Sequence, residues 1–288
     1  MTDTSNPHPA TSIAALVQMT SGIDPVANLA TIDRAMADAV AGGATMAFLP
    51  EMSLLLDRDR GRSAAHIVRE SDSPWPPALQ ALAQKHGLWL HSGSMPLLAD
   101  DGKRRVNRSH VIAADGSIRA RYDKIHMFDV TLPSGENWTE SSAYAGGRAL
   151  AAVDTPLGRL GLSICYDLRF PELYRALVDQ GATLIAIPAA FTVSTGEAHW
   201  HVLTRARAIE TGCHVLAAAQ CGRHPDGRST YGHSLAIDPW GMVLADIGEA
   251  SDATRYRVML APIDAAAADR ARAAIPLANS RATRNIAL

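Results

Sequence analysis

Short apolar runs recur along this chain, and the stretches between them carry apolar residues three and four positions apart. The first pattern predicts strands and the second amphipathic helices. Strands are expected at Ile13–Met19, Thr45–Leu49, Leu88–Ser92, Ser109–Ala113, Ile118–Tyr122, Leu160–Cys165, Leu184–Pro188, Val215–Ala219, Ser234–Ile237 and Tyr256–Ala261. Helices are expected at Pro25–Ala41, Pro77–His86, Pro171–Gln180, Glu197–Thr211 and Asp264–Ala274. Turn-forming clusters such as Gly42-Gly43, Asp115-Gly116 and Pro225-Asp226-Gly227 separate them. No internal repeat or low-complexity linker interrupts the alternation. The polar, proline-containing stretch 1–10 is expected as a flexible tail and 11–288 as one domain. Hairpin-type turns mixed with helices at both ends suit stacked layers, an α/β fold.

Composition narrows the function classes. With 27 Lys+Arg against 29 Asp+Glu the 288-residue chain has a formal charge of −2, which argues against a nucleic-acid partner. No apolar run reaches the roughly 18 residues of a membrane span, and Met1–Ala10 lacks a signal-peptide pattern. Three cysteines, Cys165, Cys213 and Cys221, are an odd number spread through a long chain. That usage fits a reducing compartment, and a cytoplasmic protein is expected.

The densest chemistry surrounds Cys165, in Gly-Leu-Ser-Ile-Cys-Tyr-Asp-Leu-Arg-Phe-Pro-Glu. A cysteine between a strand and a helix can sit on a tight turn with its sulfur exposed, and a helix N-terminus beyond it favours thiolate. Glu51 just past the run Met46–Leu49, and Lys124 at the end of the strand 118–122, place a carboxylate and an ammonium at other strand ends. Amide hydrolysis through a covalent intermediate needs such a set. Cys165 supplies the nucleophile. Glu51 takes its proton and returns it to the leaving nitrogen, while Lys124 and the Tyr166 backbone N–H stabilise the oxyanion.

Glu51 in LPE, Lys124 in YDKIHMFDV and Cys165 in CYDLRFPEL, in this order, resemble the Glu-Lys-Cys triad of the nitrilase superfamily of carbon–nitrogen hydrolases. The resemblance runs from about Ile13 to about Ile263. Ala198-His199-Trp200, Arg205 to Thr211, Ala217 to His224, Tyr231 to Ser234 and Asp238 to Gly241 are similar to its Nit branch. It implies a four-layer αββα sandwich and an amidase that works through a thioester without cofactor or metal. The implied substrate is a small acidic amide: deaminated glutathione, split to 2-oxoglutarate and cysteinylglycine, with 2-oxoglutaramate as the alternative. The superfamily also implies a homodimer or higher homo-oligomer. Glu140 matches the position of a second glutamate that orients the lysine or the hydrolytic water, and Glu136 competes for that role. The loop Met52 to Asp57 departs from the Asn- and aromatic-containing loop usual in these groups. A non-catalytic scaffold on the same fold is the reading from another class; it gives no physical reason to keep three costly polar groups in one cleft.

Other residues have competing readings. Arg169, four positions past Cys165, suits a bidentate grip on a substrate carboxylate or an ion pair with Asp167 or Glu172. Phe191 and Thr192, leaving an apolar strand, are expected as a pocket wall, and His199 as a lining residue. His126 and His199 also raise a papain-like Cys–His pair. Cys213, His214, Cys221 and His224 lack paired ligand spacing, so no metal site is expected there. Arg205, Arg207 and Glu210 suit either a solvated helix face or one docked on a second subunit.

Overall fold

The computed structural model describes residues 12–132, 135, 137–249 and 255–277. The expected tail 1–10 and Glu136 lie outside the described residues. β1 (Ser12–Met19) shows why the chain forms layers. Ala14 and Leu16 face one apolar core, and Ala15, Val17 and Met19 face another, as the two-residue period of a strand dictates. After α1 (Pro25–Ala41) come β2 (Met46–Phe48), the short α2 (Arg60–Ser63), α3 (Trp75–His86), β3 (Trp89–His91), β4 (Met95–Leu98), β5 (Arg105–Ile112) and β6 (Ile118–Asp123). A hairpin of β7 (Asp129–Thr131) and β8 (Asn137–Thr139) leads to β9 (Ala152–Thr155), β10 (Gly158–Leu162), α4 (Pro171–Asp179) and β11 (Leu184–Ala186). Then follow α5 (Val193–Thr211), β12 (His214–Ala217), the hairpin β13 (Cys221–Arg223) and β14 (Ser229–Tyr231), β15 (Leu235–Ile237), β16 (Val243–Asp246), β17 (Tyr256–Ile263) and α6 (Ala267–Ala274).

Two sheets carry the fold. The first has seven strands in the order β17-β1-β2-β3-β5-β4, with β6 also on β5; the second has six, β16-β15-β12-β11-β10-β9. β1, β2 and β3 run parallel, as do β10, β11 and β12. Ile32, Met36 and Leu79 of α1 and α3 pack on Val17 and Leu90 of the first sheet. The second core begins between the sheets with Leu16, Phe48 and Leu162 and continues to Tyr174 and Trp200 of α4 and α5. The order is therefore helices, sheet, sheet, helices: the four-layer sandwich expected.

Differences from the sequence expectations have local causes. The strand expected over Leu160–Cys165 ends at Leu162, because Cys165 has φ +50°, which no strand residue adopts. α5 begins at Val193, four residues earlier than expected, because Thr192 caps it by accepting from the Thr195 N–H. β5 extends back to Arg105 through polar residues, since Arg108 pairs with Asp123 on β6 and with Glu70.

The loop after β2 bends at Pro50–Glu51 against Gly93. Gly93 has φ +65°, and a Cβ there would lie 1.9 Å from the Pro50 carbonyl oxygen. Gly93→Ala is expected to destabilise the protein by at least about 2 kcal/mol, combining left-handed strain with a backbone clash. Urea unfolding measures this; a variant within experimental error of wild type would show that the loop yields freely.

Candidate active site

Ligands in open α/β sheets bind beyond the carboxyl ends of parallel strands, and the expected residues gather there. Glu51 follows β2, Lys124 follows β6, Cys165 follows β10, and Phe191 lies beyond β11. All four line a cavity of about 850 Å³.

At its floor Lys124, only 2% exposed, is held between two carboxylates. Its Nζ lies 3.0 Å from Glu51 Oε1 and 3.1 and 3.0 Å from the two oxygens of Glu140. Glu51 also accepts from Asn107 Nδ2 at 2.9 Å and the Ala190 N–H at 3.0 Å, and Glu140 from the Phe128 N–H at 2.7 Å. Gln220 fixes the Glu51 backbone by donating to its carbonyl and to Ser21. Burial lowers the lysine pKa, but Glu140 and Glu51 outweigh it and hold the ammonium well above its ordinary range. Lys124 is therefore a fixed positive charge.

Cys165 sits on the left-handed turn, its N–H donating to the Pro188 carbonyl at 2.9 Å. Burial and the adjacent Glu51 carboxylate push its thiol well above the ordinary range, with Lys124 opposing. This corrects the expectation that a helix N-terminus favours the thiolate. A one-turn 3-10 segment, Cys165–Arg169, separates the cysteine from α4, and desolvation dominates.

Asp167 locks the turn. Fully buried, it accepts from Tyr122 Oη (2.7 Å) and the Ile164 N–H (2.9 Å) on one oxygen, and from the His126 N–H and ring on the other. The segment carrying Lys124 is thereby bonded to the turn carrying Cys165. His126 stacks on Phe170, and His199 bonds to Arg169, so neither acts on the thiol as a papain-like partner would. Tyr166, Phe191 and Thr192 line the cavity as expected. Arg169 and His199 do not. The Arg169 guanidinium lies over the rings of Tyr166 and Phe191, behind the wall, with His199 Nδ1 as its partner instead of Asp167 or Glu172. Arg207 is buried, donates to the Leu168 carbonyl and pairs with Glu210, so it braces the cysteine turn and does not form a solvated face.

Sequence reasoning missed the cavity's cationic lining. Arg58, Arg60, Arg105 and Arg228 all contribute; Arg228 pairs with Asp226, whereas no ion pair to a carboxylate is seen for the side chains of Arg58, Arg60 and Arg105 among the described residues. Their spacing carries no motif; only the loop Asp57 to Ser63 folding over β5 brings them together. Asn107, which touches Glu51, was also missed, although a polar residue in a strand neighbouring Lys124 was a usable signal.

A family model for the carbon–nitrogen hydrolases matches residues 13–273. The chain belongs to that family. This carbon–nitrogen hydrolase is 41% identical over 246 residues to a deaminated glutathione amidase of Yersinia enterocolitica, covering 85% of each chain. The crystal structure of the Caenorhabditis elegans NitFhit protein superposes with TM-score 0.84 at 37% identity; the match covers 96% of this chain and 65% of that one. An amidase mutant from Nesterenkonia sp. AN1, showing the result of Michael addition of acrylamide at its active site cysteine, superposes with TM-score 0.74 at 26% identity, covering 92% and 98%.

The raised thiol pKa yields a test by alkylation. Iodoacetamide labelling of Cys165 against pH, followed by mass, is expected to rise only well above the range of an ordinary thiol. Glu51→Gln should move the inflection down and Lys124→Ala up, since the first removes a raising charge and the second a lowering one. The linkage sign follows: between the unfolded and folded thiol pKa values only the unfolded state loses the proton, so this group's contribution to stability falls as pH rises. An inflection at or below the ordinary thiol range would refute the assignment. Lys124→Ala should also cost about 3–5 kcal/mol of stability, because two buried carboxylates lose their counter-charge.

Proposed function

We propose that Cys165 is the nucleophile of an amidase, with Glu51 as acid–base, Lys124 as oxyanion charge and Glu140 as the group that orients Lys124. The observation carrying this reading is the buried Glu51–Lys124–Glu140 array beside a protonated thiol on the cavity floor. Cys165 Sγ attacks the amide carbon as Glu51 takes the thiol proton. The carbonyl oxygen becomes an oxyanion beside Lys124 and the Tyr166 N–H. Glu51 then returns the proton to the nitrogen, the C–N bond breaks, and the amine leaves a thioester. Water attacks the thioester, Glu51 takes its proton, and the thiol leaves reprotonated, with the acid as second product. The active site cysteine of the Nesterenkonia amidase supports this assignment.

The substrate we propose is deaminated glutathione, the molecule named for the Yersinia relative. It carries a carboxylate on its oxo-acyl half and another on the glycine of its leaving half. A cavity of about 850 Å³ has room for a molecule of that size, and Arg60 and Arg105 offer cations with no carboxylate partner among the described residues. This lining takes the role first expected for Arg169. A homo-oligomer is supported by an exposed apolar face: Val202 and Ile209 on α5, 68% and 50% exposed, beside Trp240 and Met242. A cytoplasmic setting is supported by three cysteines, none of them in a disulfide.

The test is a panel of deaminated glutathione, 2-oxoglutaramate, a carbamoyl amino acid and a neutral amide of similar size, assayed for product release. Deaminated glutathione should give the highest kcat/KM. Cys165→Ala should abolish turnover with the fold intact, and a slow substrate should leave an acyl mass on wild-type protein. Residual turnover in that variant would remove Cys165 from the mechanism. Arg60→Gln should lower kcat/KM for the acidic substrate by roughly 10- to 100-fold, the scale of one charge-assisted hydrogen bond, with the neutral amide nearly unchanged. Equal losses on both would make Arg60 structural.

A further inference from the structure

Away from the cavity, three side chains from separate elements converge on one point. His201 comes from the middle of α5, His233 from the turn between β14 and β15, and Asp246 from the end of β16. Asp246 Oδ2 lies 3.1 Å from His201 Nε2 and 3.0 Å from His233 Nδ1, and one ligand atom from each residue lies within 4.8 Å of the other two. A tetrahedral zinc ion bound by imidazole nitrogen and carboxylate oxygen at about 2.0–2.2 Å needs adjacent ligand atoms roughly 3.3 Å apart. Both nitrogen–oxygen separations are close to that edge.

The three groups are also held in place. The Gly248 N–H donates to Asp246 Oδ1 at 2.7 Å, fixing the carboxylate; Oδ1 lies 3.1 Å from His233 Nδ1 as well, and Oδ2 is the oxygen both histidines reach. His233 has φ +55°, a conformation disfavoured outside glycine, and its backbone is clamped on both sides. Its N–H donates to the Gly248 carbonyl at 2.9 Å, and its own carbonyl accepts from Trp200 Nε1 at 2.7 Å. Its ring stacks on Tyr231 with centroids 4.5 Å apart. The His201, His233 and Asp246 side chains are 35%, 18% and 30% exposed, so an ion can enter and keep water in a fourth position.

We propose that His201, His233 and Asp246 form a zinc site that clasps α5 to the β15–β16 hairpin. Each imidazole binds the ion as its neutral tautomer through the nitrogen that faces Asp246, its proton moving to the other ring nitrogen. Two N–H···O bonds are thereby exchanged for two Zn–N bonds and one Zn–O bond, with no net proton released. A His₂Asp donor set suits zinc better than magnesium or calcium, which take oxygen ligands. The ion braces the cavity wall at one remove: Tyr231, stacked on His233, packs so closely over Gly196 in the first turns of α5 that a Cβ there would lie 2.2 Å from its ring.

The test uses untagged, full-length protein stripped with a chelator, titrated with zinc chloride by calorimetry and followed by thermal unfolding. His201→Ala and Asp246→Asn are measured beside it; both change partly exposed side chains, and the asparagine keeps an acceptor for the Gly248 N–H. Wild type is expected to bind one zinc per chain in a site that each variant weakens at least tenfold. Saturating zinc should raise the wild-type unfolding midpoint by about 2–4 °C and leave both variants within error. Isotherms and midpoint shifts equal in all three proteins would overturn the proposal and place any bound zinc elsewhere on the chain.

Discussion

The fold depends at its centre on one buried ammonium shared by two carboxylates. Removing Lys124, Glu51 and Glu140 from water costs several kcal/mol per ion, repaid only where geometry and hydrogen bonding are complete. Completion here draws on much of the chain. Asn107 comes from β5, Ala190 from beyond β11, Phe128 from the approach to β7, and Gln220 from beyond β12. Since Glu51 belongs to the first sheet and Ala190 and Gln220 to the second, the array is satisfied only when the two sheets stack in one register. Apolar packing between the sheets supplies attraction without direction; these bonds supply the direction.

The same array governs the thiol. A desolvated cysteine beside a carboxylate stays protonated, and that is compatible with catalysis when the carboxylate is also the proton acceptor. Under the proposed mechanism proton transfer and attack occur together, and a thiol kept protonated while the site is empty resists oxidation. Backbone strain places the sulfur. Among the described residues, the non-glycine positions with φ between +50° and +55° are Met52, Cys165 and His233. Met52 adjoins Glu51 and Cys165 is the proposed nucleophile, each over-determined by neighbouring bonds, which is how strain of about 1–3 kcal/mol persists in a native state. Asp167 provides that over-determination for Cys165, with four donors on its two oxygens.

Much of this was legible in the chain where burial is two-sided. β2, β11 and β12 are buried throughout and read as continuous apolar runs. β4 was obscured by Pro96, and β7, β8 and β16 by their length of three or four partly exposed residues, too short to establish a period. Glu51, Lys124 and Cys165 were legible because each lies just past a strand, a local feature. Their supports were not. Arg207 looks like any charged helical residue until Leu168 is folded beneath it, and Arg169 looks like a ligand for carboxylate until Tyr166 and Phe191 close over it. Long-range pairing decides both, and sequence spacing holds no record of it. His201, His233 and Asp246 are hidden in the same way, because three separate elements must fold before they meet.

Chemistry and specificity consequently rest on different parts of the molecule. The groups of the proposed mechanism follow strand ends tied into both cores, where a displacement is opposed by packing and by buried hydrogen bonds. Arg58 lies on the loop after β2, Arg60 at the start of the one-turn α2, and Arg228 on the turn before β14, segments whose backbone is held by Asp57, Asp59 and Asp226. A loop can exchange its side chains without disturbing a core, so the cationic lining can vary while the Glu51–Lys124–Glu140 array stays fixed. The loop Met52 to Asp57 leads directly into Arg58 and Arg60 on the cavity wall, while the Glu51–Lys124–Glu140 array lies at its floor. On the proposed reading, a change of preferred amide falls on that wall and requires no change in the chemistry beneath it.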